Sequence, residues 1–133
     1  MIGLDTNVLV RFFTEDDPIQ FKRARSFIER RLSAEEPGYV NLVVLAELAW
    51  TLGRAYGYGK DEIASAINAL LDSTEISVER EETVAAAAGL ARAANLEFVD
   101  ALVAVMNWDA GCRETVTFDT RFARSKAATL LDQ

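Results

Sequence analysis

The sequence has no histidine, one cysteine and no long apolar run. Without histidine, the chain cannot build histidine-ligated zinc sites, Ser-His-Asp triads or a histidine general base. The single Cys112 cannot form an internal disulfide, which is typical of proteins in a reducing cytoplasm. Met1 is followed by neither the basic start nor the apolar run of a signal peptide, and no apolar stretch approaches the ~20 residues of a membrane span. We therefore expect a soluble, cytoplasmic protein with no membrane partner.

Proline is scarce as well, with two in 133 residues, and no Ser/Gly/Pro-rich tract divides the chain. Half of the residues are hydrophobic and 26% are charged, so we expect one globular domain spanning residues 1–133. The net charge is -7, from 14 Lys and Arg against 21 Asp and Glu. This balance argues against a protein that holds nucleic acid tightly by bulk electrostatics, although the positions of the acids matter more than their sum.

Short apolar stretches alternate with longer helical ones along the chain. Strands are predicted at residues 2–4, 39–40, 75–78 and 115–118. Helices are predicted at residues 8–13, 15–32, 42–56 (capped by Asn41), 61–71, 79–94, 98–110 and 120–127. Strands separated by helices indicate an α/β fold, with a short parallel sheet flanked by helices on both faces. Ligands of such sheets bind at the carboxyl ends of the strands.

Two aspartates directly follow predicted strands. Asp5 comes after the first strand and Asp119 after the last. If those strands are parallel neighbours, both carboxylates lie at the same edge of the sheet. Each aspartate could instead cap the helix that follows it.

Glu47 and Asp100 lie within apolar helical sequences. The residues around Glu47 are apolar on every helical face, so we expect that helix to be buried all round and its carboxylate to need a partner. That partner could be a metal ion or, alternatively, Arg54 in a salt bridge with Glu47. For Asp100 the alternative is an acid in the first turn of a helix, where the helix dipole stabilises it.

Four carboxylates gathered in one place would need a cation. At ~5 Å separation and an effective dielectric near 20, each pair would repel by roughly 3 kcal/mol. Only oxygen ligands are present, so Mg²⁺ or Mn²⁺ fits and zinc does not. Acids that hold such ions at the end of a sheet suit hydrolysis of a phosphodiester.

The motifs that contain these acids resemble those of PIN-domain ribonucleases, and more narrowly those of the VapC toxins of bacterial toxin–antitoxin pairs. The resemblance covers nearly the whole chain. It is carried by the segments Gly3–Phe12, Glu15–Pro18, Val44–Leu52, Phe98–Leu102, Ala110–Cys112 and Thr117–Phe122.

The resemblance implies an acidic pocket formed by the four acids. Asp5 and Asp100 match the positions credited with Mg²⁺, and Asp119 completes the pocket. Glu47 would bind the metal through water or orient the attacking water. Val99 stands where the family often has alanine, and no acid of the pocket is missing.

Three further residues are predicted to position the substrate. Asn7 and Thr117 match polar positions beside the family's pocket. Arg121 lies two residues after Asp119, where it could contact a phosphate of the substrate. The other basic residues form two stretches: Arg11, Lys22, Arg23, Arg25, Arg30 and Arg31, and then Arg113, Arg124 and Lys126. A solvated face is the ordinary reading of such stretches.

The resemblance also implies a substrate and partners. Toxins of this kind cleave RNA internally, leave 3′-hydroxyl and 5′-phosphate ends, form homodimers and are neutralised by a small cognate antitoxin. From the residues themselves, large apolar side chains near helix ends could dock a partner helix, although ordinary core positions are the simpler reading. These are Phe12, Phe13, Tyr39, Trp50 and Tyr56.

Two other functions are compatible with parts of the pattern. A phosphatase of the haloacid-dehalogenase type would explain Asp5 after the first strand, but it needs a second aspartate where Asn7 stands. A binding module without turnover could use the same acids around a structural cation. Release of phosphate from phosphomonoesters would indicate the first alternative, and metal-dependent RNA cleavage would exclude the second.

Overall fold

The computed structural model describes residues 1–131; Asp132 and Gln133, the end of the predicted domain, lie outside the described residues. Its strands are β1 (Ile2–Gly3), β2 (Gly38–Val40), β3 (Ile76–Val78), β4 (Val116–Thr117) and β5 (Thr129–Leu130). Its helices are α1 (Thr6–Phe13), α2 (Pro18–Ser26), α3 (Leu42–Tyr56), α4 (Lys60–Asp72), α5 (Glu81–Ala94), α6 (Phe98–Asp109) and α7 (Thr120–Arg124). A π-helical turn, Phe27–Arg31, continues α2.

The strands form two small parallel sheets. The first has the order β1-β2-β3, with Gly38 of β2 opposite both Ile2 and Ile76. The second joins β4 to β5, with Val116 opposite Thr129. The α/β architecture agrees with the prediction. The condition set for Asp5 and Asp119, that the first and last predicted strands are neighbours, is not met among the described residues, because β4 pairs with the unpredicted β5 and not with β1.

Short polar side chains and glycine set the helix ends. Asp17 accepts a hydrogen bond from the Gln20 backbone N–H at 3.0 Å, and Pro18 occupies the first turn of α2. The side chain of Asn41 accepts one from Val44 at 2.9 Å, which confirms the predicted cap of α3. Gly57 ends α3 with a φ of 70°, a left-handed conformation that glycine adopts without steric cost.

The core is one cluster shared by the three-stranded sheet and the helices packed around it, α1 among them. Its fully buried large side chains are Leu9, Leu45, Leu48, Leu52, Ile67, Val40 and Val84. Burying a leucine or isoleucine side chain stabilises the fold by about 1.5–3 kcal/mol, before entropy is counted. On α5, the buried face of Ala87, Ala88 and Ala91 lets its neighbours α4 and α6 approach closely. Across residues 1–131, every helix falls short of what a membrane span requires.

Candidate active site

Asp5 and Glu47 are joined through the threonine that follows Asp5. Asp5 follows β1 closely and caps α1, where its Oδ1 accepts a hydrogen bond from the Thr6 backbone N–H at 2.7 Å. The hydroxyl of Thr6 donates to Oε1 of Glu47 at 2.9 Å, across 41 residues of sequence. Because α3 packs against α1, this bond links two acids that the sequence places far apart.

The expected burial of Glu47 is wrong. The side chain is exposed on α3, in a stripe with Val43 and Trp50, which are 70% and 61% exposed. The alternative, a salt bridge between Glu47 and Arg54, is absent from the described residues; the Arg54 guanidinium instead lies 5.2 Å from the centre of the Trp50 ring. An apolar sequence does not show which face of a helix other elements will cover, so it does not predict that Glu47 lies on the exposed face of α3.

Asp100 and Asp119 approach each other from different elements. Asp100 lies in the first turn of α6 and is half-buried, whereas Asp119 is exposed at the start of α7. Burial raises the pKa of Asp100, and the negative charges of Asp119 and Glu97 raise it further. The Lys60 ammonium opposes this rise. Desolvation and like-charge repulsion therefore act against the stabilisation that the helix dipole gives a first-turn acid.

The capping alternative is also correct for Asp119. Its Oδ1 accepts hydrogen bonds from the backbone N–H groups of Arg121 and Phe122 at 2.9 and 3.3 Å. Its own N–H donates to the Thr117 hydroxyl at 3.0 Å, which fixes Thr117 beside the acid. In the caps made by Asp5 and Asp119, Oδ1 accepts the bonds, and within residues 1–131 no hydrogen bond reaches either Oδ2. Capping therefore leaves an oxygen of each carboxylate available to a cation.

The four predicted acids form two pairs rather than one cluster. Residues 1–131 contain no group of three or more acids and cysteines close enough to hold a metal ion by themselves. Repulsion of roughly 3 kcal/mol per pair opposes such a cluster. Mg²⁺ is usually held by one or two carboxylates, several waters and the phosphate oxygens of a substrate. An all-oxygen carboxylate pair fits this mode of binding, and Asp100 and Asp119 are close enough for the charge of one to act on the other.

Asn7 and Arg121 are both exposed, and each lies two residues after a predicted acid, Asp5 and Asp119 respectively. Asn7 lines a cavity of about 730 Å³ beside β1, together with Gly3 and Arg11. Arg121 lies on α7. Among the docking candidates, Phe12, Phe13 and Tyr56 pack against the core, as the simpler reading had it, whereas Trp50 is largely exposed.

Three residues that shape the site were not predicted. Thr6 bridges the first pair, and its position between Asp5 and Asn7 was the only available signal. Lys60 and Glu97 act on the charge of Asp100 from the start of α4 and the residue before α6. No spacing in the sequence links Lys60 to Asp100, because the tertiary fold alone brings them near.

Comparison with known proteins identifies the family. A model of the PIN domain matches residues 2–127. No curated protein matches the chain. PIN domains are generally nucleases, they typically use divalent metal ions, and the nucleases among them bind RNA. Since the match covers nearly the whole sequence and the α/β fold agrees with it, the chain belongs to the PIN-domain family.

Proposed function

We propose that this protein is a Mg²⁺-dependent endoribonuclease that acts as the toxin of a toxin–antitoxin pair, as its resemblance to VapC toxins implies. The observation that carries the proposal is the hydrogen bond from Thr6 to Glu47, which joins a helix acid to the strand-end Asp5 of a PIN-family chain. The neighbouring pair of Asp100 and Asp119 supports it. Mn²⁺ is an alternative ion with the same preference for oxygen ligands.

In this proposal the acids divide the work of phosphodiester hydrolysis. Asp5, Asp100 and Asp119 would hold the cation, directly or through its water ligands, and Glu47 would orient the attacking water. When bound, Mg²⁺ would lower the pKa of that water and stabilise the leaving oxygen. Water adds to phosphorus, the bond to the 3′ oxygen breaks, and the products are a 3′-hydroxyl and a 5′-phosphate. Asn7, Thr117 and Arg121 position the scissile phosphate.

The test is cleavage of RNA by purified protein free of any antitoxin. We expect internal cleavage with Mg²⁺ or Mn²⁺, suppression by EDTA, and loss of cleavage in Asp5→Asn and Asp100→Asn. The matched control is Asp72→Asn, which removes an equal charge from an exposed aspartate at the end of α4 and should cleave like the parent. Equal cleavage by the parent and the two site variants would overturn the assignment.

The toxin role and the partners have separate tests. Expression of the parent should slow growth, expression of Asp100→Asn should not, and co-expression of a small cognate antitoxin should restore growth. Homodimerisation is supported by the exposed Val43 and Trp50 on α3, and light scattering should give twice the mass of the chain. Cleavage in vitro without any slowing of growth would leave a nuclease that is not a toxin.

A further inference from the structure

Two adjoining cavities run along α2 and reach Asn7, one of the residues predicted to position the substrate. The first, of about 730 Å³, runs beside β1 and α1 and includes Asn7 among its lining residues. The second, of about 530 Å³, follows the outer face of α2 and the π-helical turn. Arg23 and Phe27 line both cavities, so the two form one continuous surface that starts two residues from Asp5.

The charge of this surface is opposite to that of the chain. Five cations line the two cavities, and none of the described lining residues is acidic, although the chain has 21 acids against 14 bases. These cations are Arg11, Arg23, Lys22, Arg30 and Arg31. An acidic protein that keeps one surface free of acids attracts anions locally, whatever its net charge.

Four of the five cations are not neutralised by the protein. Arg11 is engaged, because its guanidinium contacts Asp16 at 3.2 Å and Tyr56 at 3.0 Å. In the part of the chain that the structure describes, Lys22, Arg23, Arg30 and Arg31 have no carboxylate oxygen within 4.0 Å. Arg31 lies over the Phe27 ring at 5.6 Å, which holds its side chain against the surface. We define these four residues as the basic strip.

Helical spacing explains why the basic strip faces one way. Lys22 and Arg23 on α2 precede Arg30 and Arg31 by seven to nine residues, and the wider π-helical turn Phe27–Arg31 returns the second pair to the side of the first, so that all four line the same cavity. Arg25 lies off this face and forms an ion pair with Glu29 at 2.8 Å. The basic residues of this stretch therefore lie in two places: the cations of the basic strip share one face, and Arg25, paired with Glu29, lies on another.

We propose that the basic strip binds the phosphates of the RNA substrate and leads the strand toward Asn7 and Asp5; this substrate path rests on the proposed nuclease function. Free cations on an exposed groove bind phosphates by releasing counterions, without reading the bases. Arginine suits this role because its planar guanidinium can bind a phosphate through two donors. Asn7, which is predicted to position the substrate, lines the same groove, and this favours RNA over an acidic polypeptide as the occupant.

The test measures RNA binding separately from cleavage. The probe is a fluorescent single-stranded oligouridylate of twelve nucleotides, titrated in EDTA at several salt concentrations. The triple variant Lys22→Gln, Arg23→Gln, Arg30→Gln removes three cations of the basic strip. Its matched control, Arg25→Gln, Arg92→Gln, Arg113→Gln, removes the same charge from exposed arginines that line neither cavity. Circular dichroism verifies that both variants fold.

The parent should bind with a clear salt dependence that the control retains. For single strands, each phosphate contact contributes about 0.7 to the slope of log affinity against log salt. The slope for the strip variant should therefore be smaller by about 2. As a result, the ratio of the parent's affinity to the strip variant's affinity should fall about 20-fold between 50 and 200 mM salt. Equal slopes for parent and strip variant, or an equal loss in the control, would overturn the proposal.

Two further measurements distinguish the possible failures. Polyglutamate of matched charge should bind the parent more weakly than the oligouridylate; equal or tighter binding would show an acidic-polypeptide dock and overturn the RNA assignment. If the parent binds RNA through the strip but cleaves none, the nuclease function fails and the basic strip stands. If the parent cleaves RNA while the strip variant binds and cleaves as well as the parent, the strip fails and the nuclease function stands.

Discussion

The two acid pairs of the site differ in the interactions that act on their carboxylates. In the N-terminal pair, Asp5 and Glu47 are both exposed and are connected through the N–H and hydroxyl of Thr6. In the C-terminal pair, Asp100 is half-buried and faces the charge of Asp119. The first pair is fixed in place by hydrogen bonds to neutral donors, whereas the second brings like charges together. A cation therefore has more repulsion to relieve at the second pair.

The largest effect is expected at Asp100 in the C-terminal pair, where one substitution should lower activity and raise stability. Asp100→Asn should reduce cleavage at least about 100-fold, because it removes a proposed ligand of the metal ion, whose charge stabilisation is worth several kcal/mol. The same change should raise the free energy of unfolding in EDTA by up to about 1 kcal/mol, since it removes a like charge beside Asp119. RNA cleavage and urea unfolding measure the two effects, with Asp72→Asn as the control. A destabilised Asp100→Asn would show that repulsion does not dominate this pair.

A smaller loss of activity should follow when the hydrogen bond of the N-terminal pair is removed. Thr6→Val deletes the hydroxyl that donates to Glu47 and should slow cleavage about tenfold, the scale typical of residues that orient a ligand. Thr6→Ser keeps a donor and should restore most of the activity. If the serine variant is as slow as the valine variant, the methyl group rather than the hydrogen bond is what matters.

Stability should distinguish capping from the proposed metal binding at Asp5. Asn is as good a helix cap as Asp, so Asp5→Asn should lose cleavage while keeping its thermal unfolding midpoint. Asp5→Ala should lose cleavage and also about 1 kcal/mol of stability, because the Thr6 N–H loses its partner. Thermal unfolding by circular dichroism provides the comparison. Equal midpoints for the two variants would mean that the cap contributes little to α1.

The smallest expected effect is a difference in pKa between Asp16, which lies outside the two pairs, and Asp100, which belongs to one of them. Asp16 accepts hydrogen bonds from Tyr56 and Thr14, and these lower its pKa, while Arg11 adds a favourable charge. Its stabilisation is present above the unfolded-state pKa and is lost as the pH falls through the folded value. Asp100 behaves in the opposite sense, because its raised pKa costs stability as the pH rises from the unfolded value through the folded one. Carbon-13 NMR of the carboxyl groups should show that Asp16 has a pKa below the usual aspartate value and Asp100 a pKa above it. The change Tyr56→Phe should raise the pKa of Asp16.

Sequence reasoning succeeded where the cause is local. Asn41 caps α3 because a short polar side chain precedes an apolar helix, and the same chemistry explains the caps of Asp5 and Asp119. Sequence reasoning failed where the packing of distant elements determines the exposure or the partner of a residue. The exposure of Glu47 depends on which elements pack against α3, and an apolar sequence does not contain that information. Likewise, the two-residue β5 is too short to produce a detectable alternation, so the partner of β4 could not be predicted.

The separate sheet of β4 and β5 has a consequence for the lifetime of the site. Its strands have two residues each, mostly exposed, and are joined by bonds such as Thr129 N–H to Thr115 O, whereas the ends of β2 are buried. Short exposed ladders open at low free energy, so their amide protons should exchange with solvent well before those of β2. Asp119 lies between β4 and α7 and is carried by this region. On heating, its spacing from Asp100 should therefore be lost first, and catalytic activity should decline at temperatures at which the helical core is still folded.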